Sequence, residues 1–237
     1  MGGKEMTPEV KRTVWKWMMQ SALGLVGYGV VLFLPAGRLD WVWGWVMLAS
    51  VAVGLVGQVV VLVPINPSLL IERERGLRAE GAKRWDVWVA GLATVAWMIG
   101  WIVAGLDFRW GWSEPVPLAL HLVGVVVTAF GWTMFLWAMG ANAFFAEAVR
   151  IQEDRGHTVV TDGPYRVVRH PGYVGSISMG IATPLLLGSY WAIIPTVLAV
   201  GCFVLRTALE DRTLQEELDG YKEYALRTRY RLLPGIW

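Results

Sequence analysis

The 237-residue chain is 55% hydrophobic with a mean hydropathy of +0.47, and its 17% charged residues fall short of the roughly 25% usual in a soluble domain. One cysteine (Cys202) and three scattered histidines supply neither a disulfide framework nor a Cys- or His-based metal cluster, and a formal charge of +2 is too small for a nucleic-acid surface. Disorder, collagen and an ordinary soluble enzyme are excluded, which leaves a multi-pass membrane protein.

A helix needs roughly 20 apolar residues to cross about 30 Å of hydrocarbon at about 1.5 Å per residue. Four stretches meet this requirement, at 14–34, 41–63, 87–106 and 117–140, with few or no internal charges. The first is too long for a signal peptide and lacks a small-x-small cleavage site, so a retained span is expected. The last apolar block, 173–205, is interrupted by Pro184, Gly188-Ser189 and Pro195. Each arm beside Gly188 has about half the length of that block, which predicts a tight helical hairpin; the alternative is one long kinked helix. The fold class is therefore all-α: about six membrane helices (four spans, then a short hairpin) and an amphipathic C-terminal helix.

Of the 21 lysines and arginines, all but Arg38 and Arg109 lie in the N-terminal segment, the loops after spans 2 and 4, and the tail. Basic loops mark the cytosolic side. Both termini and the polar loops are then cytosolic, which requires an even number of crossings. The loop at 64–84 mixes signs (Glu72-Arg73-Glu74-Arg75) and predicts a solvated helix on the membrane surface. No internal repeat is visible. The chain divides into an N-terminal four-span region, 1–140, and a region at 141–237 that holds most of the polar chemistry.

In that second region, Asp162-Gly163-Pro164 and His170-Pro171-Gly172 are turn signals. Proline restricts the residue before it, so His170 is expected to be extended where the chain re-enters the membrane. Such a rigid loop can wrap a small polar ligand, or it can simply start a helix. On a helical wheel begun at Arg206, Glu210, Leu214, Glu217, Leu218, Tyr221 and Ala225 share one stripe, while Asp211, Arg212, Glu216, Lys222 and Glu223 fall opposite, toward water. Arg206 and Glu210, four residues apart, are placed to meet on the inward side. An inward pair costs desolvation and is a functional candidate in a membrane protein; the alternative is a snorkelling anchor. His121 reads as a satisfied interior histidine, and Asn142 as a helix-end cap or a substrate contact. Phosphate-binding glycine patterns are absent.

Gly163-Pro164-Tyr165-Arg166, Arg169-His170-Pro171-Gly172-Tyr173-Val174-Gly175, Arg206-x-x-x-Glu210-Asp211, and Tyr221-x-x-Tyr224 before Leu233-Pro234 together resemble the isoprenylcysteine carboxyl methyltransferase family. The phospholipid N-methyltransferases share the RHPxYxG and acidic-pair pattern. The resemblance covers about 142–234. It implies an integral membrane methyltransferase that uses S-adenosylmethionine in a cytosol-facing pocket and takes a hydrophobic or lipidic substrate from the bilayer. Carried across, Tyr165, Arg169, His170, Pro171, Tyr173, Gly175 and Glu210 would bind the cofactor. Arg206 and Glu210 would be catalytic, and Arg206 and Asn142 would meet the acceptor. No metal or nucleic acid is implied; membrane lipids and the substrate are the expected partners. Two departures stand out. The acidic pair is Glu-Asp rather than Glu-Glu, and the helix 117–141 lacks the arginine that eukaryotic members carry there.

A carboxylate acceptor is ionised at neutral pH and needs no general base, and an arginine can align it with two prongs. An amine or thiol acceptor would need a proton removed, by Glu210 or His170. Carboxylate O-methylation is the expected reaction. Phospholipid amine or thiol methylation, an NADPH-dependent sterol-type reductase, and a transporter or scaffold are the alternatives.

Overall fold

The computed structural model describes residues 8–65, 69, 72–73 and 76–237. Seven helices are described: α1 Pro8–Ala36, α2 Val42–Ile65, α3 Arg84–Trp110, α4 Leu118–Ala141, α5 Pro171–Leu187, α6 Ile193–Glu217 and α7 Tyr221–Arg227. No strand occurs among the described residues. Five helices (α1, from Arg12, then α2, α3, α4 and α6) are long and apolar enough to cross a membrane. They cover the four spans read from the sequence and the second arm of the expected hairpin; the first arm, α5, is not among them, so five of the expected six membrane helices have that length and apolarity. Large apolar side chains point outward along them, with Leu23, Val56, Trp88 and Val126 all exposed, as a lipid-facing surface requires.

The block after Tyr173 is a hairpin of two helices and not one kinked helix. Its arms are unequal, at 17 residues in α5 and 25 in α6. Gly188 ends α5 at φ 74°, its N–H returning to Pro184 O. A side chain there would be strained and would also strike His121, 2.5 Å from an added Cβ. His121 itself is satisfied as expected, with Nδ1 2.9 Å from Leu186 O and its ring stacked on Trp43. Pro184 is accommodated inside α5, and Pro195 sits in the first turn of α6.

Small residues set the helix spacing, since close packing, not water, drives association in lipid. An added Cβ on Gly175 of α5 would lie 2.6 Å from Gly131 O and 2.8 Å from Phe135 N of α4, and one on Gly124 would meet Leu186. At one end of the bundle Leu32, Phe33, Trp41, Met47, Trp101 and Leu186 form a buried cluster, with Trp41 stacked on Phe108. There buried Asp107 accepts from the Ser113 backbone N–H (2.7 Å) and from the hydroxyls of Ser113 and Ser189, tying α3 to the α5–α6 turn. At the other end Ala138, Tyr165, Leu218, Tyr221 and Tyr224 make a second cluster.

The C-terminal helix departs from the expected form. α6 runs unbroken from the apolar run to Glu217, the chain turns at Leu218, and Gly220 at φ 79° starts the short α7. The helical wheel therefore holds only as far as Glu217, which is exposed and pairs with Lys83 at 2.7 Å. Beyond α7 the tail turns back, and Arg169 N and His170 N donate to Tyr230 O and Arg231 O. The tail thus covers the face of α6 that the wheel assigned to water. Asp211, expected to be solvated, is fully buried for this reason.

The loop at 64–84 lies partly outside the described residues. Within them, residues 69 and 72–73 are helical as expected, but Glu72 is buried and paired with Arg150 at 2.7 Å, so this stretch is not solvated.

Candidate functional site

Asp211 organises one wall of the site. It accepts from Arg169 Nε (2.7 Å) and Nη2 (3.0 Å), Arg231 Nε (2.8 Å), Gln215 Nε2 (2.8 Å) and the Tyr221 hydroxyl (3.1 Å), with His170 Nε2 at 3.3 Å. A buried carboxylate persists only if paired and hydrogen-bonded, and here one anion gathers a loop, a helix and the tail. Arg169 also donates to Thr228 O and Arg229 O, so its fork is filled. His170 lies at φ −126°, ψ 61°, outside the helical region, immediately before the first residue of α5.

The expected Arg206–Glu210 pair does not form. Arg206 grips Asp86, at the start of α3, by two bonds of 2.6 and 2.9 Å, and also donates to Glu147 O. Asp86 is fully buried and accepts the Val149 N–H at 2.8 Å as well. Glu210, one turn along, accepts the Tyr173 hydroxyl. The Arg206 guanidinium lies 5.4 Å from the Tyr173 ring centroid, so α5 and α6 carry one contiguous Arg–Tyr–Glu row.

These groups border a cavity of about 400 Å³, lined among others by Asn142, Phe144, His157, Tyr165, Arg169, His170, Tyr173, Arg206, Glu210, Tyr221 and Tyr224. That size suits a small-molecule site. Seven of the nine residues singled out from the sequence line it; Pro171 and Gly175 do not. Pro171 is the buried first residue of α5, and Gly175 faces α4 at a spacing that leaves no room for a side chain. Asn142 ends α4, accepts Phe144 N through Oδ1 (2.8 Å) and donates to the Tyr165 hydroxyl (3.1 Å). It is thus a helix-end residue whose side chain also shapes the cavity.

The cavity discourages charge on several of its walls. Burial pushes the Tyr165 and Tyr221 phenols well above their ordinary range and Tyr224 up to about 12. Burial, helped by Arg150 and Arg155, holds His157 down to about 4, so this ring is neutral at pH 7. The His157 ring packs against Phe144 at 4.4 Å. The wall thus combines neutral aromatic rings with two carboxylates, Glu147 and Glu210, and four arginines, Arg73, Arg150, Arg169 and Arg206; the ring faces beside Glu210 suit an organic cation or a flat heterocycle.

A second cavity of about 480 Å³ lies within the helix bundle, lined by Trp17, Tyr28, Met47, Leu55, Trp97, Trp101, Trp132, Met179 and neighbours. Four of its wall residues carry buried polar atoms without a hydrogen-bond partner: Trp97 Nε1, Trp101 Nε1, Trp132 Nε1 and Thr128 Oγ1. Arg73, Thr94, Glu147 and Phe203 line both cavities, so the polar and apolar spaces meet at those four side chains.

The sequence reading missed Asp86, Arg73 and Glu147. Asp86 left one faint signal, an acid placed directly before an apolar span. Arg73 was hidden in a run of alternating charge.

Residues 122–217 match the isoprenylcysteine carboxyl methyltransferase family. The chain is 30% identical over 143 residues to the human protein-S-isoprenylcysteine O-methyltransferase, covering 56% of this chain and 48% of that one. It is 31% identical over 143 residues to the cobalt-zinc-cadmium resistance protein CzcN of Cupriavidus metallidurans, covering 55% and 58%. Over a shorter stretch of 50 residues it is 40% identical to the Schizosaccharomyces pombe protein-S-isoprenylcysteine O-methyltransferase, covering 21% of each chain. The chain thus spans about half the length of the human relative it matches. A solved eukaryotic intramembrane Ras methyltransferase, an isoprenylcysteine carboxyl methyltransferase, superposes with a TM-score of 0.53 at 18% identity, covering 98% of this chain and 99% of that one. The two share the integral-membrane helical fold. The family resemblance read from the RHPxYxG loop and the acidic pair is borne out over the matched residues.

Proposed function

From a chain whose residues 122–217 carry the isoprenylcysteine carboxyl methyltransferase pattern, we propose a membrane methyltransferase that takes its methyl group from S-adenosylmethionine and passes it to the carboxylate of a lipidic acceptor. The observation that carries this reading is the meeting of two unlike cavities at Arg73, Thr94, Glu147 and Phe203. One is rich in charged and aromatic side chains, with Glu147 and Glu210 in its wall; the other, inside the helix bundle, is lined mostly by tryptophans and apolar side chains, with Gln20, Ser50, Gln58, Thr128 and Thr183 among them. Two reactants of opposite polarity can each occupy a matching space and touch at one point. Holding them so supplies most of the catalysis such a transfer needs.

When bound, S-adenosylmethionine would supply an electrophilic methyl group on a positive sulfur. Glu210 and Tyr173 would hold the cationic end of the donor by charge and by ring face. Tyr165, Arg169 and His170 would shape the wall around its flat end, with Asn142 fixing Tyr165. Arg206, its charge already met by Asp86, positions the row rather than binding the acceptor. Gly175 and Pro171 act through the backbone, setting the α4–α5 distance and the start of α5. The lysine and arginine bias supports a cytosolic site and cytosolic termini, which requires α5 to serve as a sixth crossing beside the five long apolar helices.

The test is thermal unfolding of the detergent-solubilised protein with S-adenosylmethionine, S-adenosylhomocysteine or NADPH. A ligand at 100 times its dissociation constant adds about 2.7 kcal/mol. Stabilisation by the first two, lost in Glu210→Ala and His170→Ala, is expected. Stabilisation by NADPH alone would replace the reading with a reductase.

A further inference from the structure

The polar cavity is bordered by four arginines: Arg73, Arg150, Arg169 and Arg206. Three are saturated. Arg150 is shared between Glu72 and Asp154, Arg169 between Asp211 and two backbone carbonyls, and Arg206 between Asp86 and Glu147 O. Arg73 differs. Its side chain is only 10% exposed, yet it meets one carboxylate oxygen, Glu147 Oε1, at 3.2 Å and one carbonyl, Phe145 O, at 3.3 Å. Its guanidinium lies 6.0 and 5.8 Å from the ring centroids of Phe135 and Phe145. Glu147 remains 42% exposed and can be rehydrated when displaced. Both side chains stand at the junction of the two cavities, where an acceptor whose tail fills the chamber must place its head.

We propose that Arg73 anchors the acceptor's carboxylate, and that Glu147 occupies this anchor until the acceptor displaces it. Exchanging one carboxylate for another keeps the buried guanidinium paired throughout, so entry of the substrate requires no unpaired charge. A planar guanidinium can also hold the incoming carboxylate by two parallel bonds, against the single long one Glu147 makes. An anchor between α2 and α3 supplies a cation that α4, free of lysine and arginine, does not. The inference rests on the carboxylate-acceptor reading above, and it converts Glu147 into a competitor that excludes neutral lipids.

Binding of N-acetyl-S-farnesylcysteine and palmitic acid, each beside its primary carboxamide, can be followed by quenching of the chamber tryptophans with S-adenosylhomocysteine present. Wild type should prefer at least one acid over its amide by about tenfold or more, the worth of one charge-assisted contact. Arg73→Gln should bring that ratio close to one. Glu147→Gln breaks the same ion pair but removes the competitor, so it should tighten the acid several-fold and leave the amide unchanged. A purely structural ion pair would weaken both variants alike, and that result overturns the proposal. So does an acid preference that survives in Arg73→Gln, or its absence in wild type. Thermal stabilisation by S-adenosylmethionine should persist in both variants. Its absence in wild type would sink the donor assignment alone and leave the acid-to-amide comparison standing by itself.

Discussion

Replacing Asp211 by asparagine keeps the size of the side chain and one acceptor oxygen but removes the charge. Two arginines then lose their counter-ion. Arg169, with a side chain 6% exposed, has no water to turn to, whereas Arg231 at 30% can be partly hydrated. Leaving one buried charge uncompensated costs about 3–5 kcal/mol. At about 2–4 °C per kcal/mol for a chain of this size, the unfolding midpoint should fall by roughly 6–20 °C. The damage should also be local. Arg169, His170 and Tyr221 all line the polar cavity, so affinity for S-adenosylhomocysteine should drop along with stability. Asp162→Asn is the control, since its pair with Arg166 is exposed on both sides and worth about 0–1 kcal/mol. Thermal unfolding in detergent, monitored by tryptophan fluorescence, reads both variants. An Asp211→Asn midpoint within a degree or two of the control would refute the argument that this carboxylate holds the loop, α6 and the tail together.

Gly175→Ala should destabilise by about 1–3 kcal/mol through overpacking against α4, while Gly91→Ala, which meets nothing within 4 Å, should be neutral or slightly stabilising; parallel melts decide. His157 has a folded pKa below its unfolded value, so its contribution to stability is complete above about pH 6.5 and is lost as pH falls toward about 4. The drop in melting temperature between about pH 7.5 and pH 5 should therefore be smaller in His157→Gln than in wild type. Arg206→Ala and Asp86→Ala each strand a partner, so a double-mutant cycle on stability should show that the second substitution costs much less than the first. Additive losses would show that the two side chains do not act as a pair.

The spans were legible because a run of about 20 apolar residues has few other uses, and the hairpin because Gly188 can adopt a left-handed turn that other residues resist. Among the candidate site residues, the RHPxYxG loop was legible through its resemblance to a family motif, and Glu210 through that resemblance and through its inward place on the α6 wheel. What escaped was every decision taken by distant chain. Asp211 lies on the outer side of an isolated α6 wheel and becomes interior only because residues 228–231 return across it. Arg206 points inward as read, but Asp86, 120 positions earlier, outcompetes Glu210 for it. The pairing of Glu72 with Arg150 and of Arg73 with Glu147 spans more than seventy residues in each case, and a mixed-sign run gives no hint of which members turn inward. Periodicity reports one element at a time, whereas a buried charge is placed by whatever packs over it.

Methyl transfer to a lipid carboxylate where the polar donor site meets the membrane chamber can be measured by incubating the protein in lipid vesicles with methyl-tritiated S-adenosylmethionine and N-acetyl-S-farnesylcysteine or palmitic acid, then treating the lipid extract with alkali. A methyl ester releases its label as volatile methanol, and volatile counts that depend on Arg73 and Glu210 are the predicted result. Lipid-bound label that survives alkali, as on a phospholipid amine, or no transfer to either acid, would contradict it.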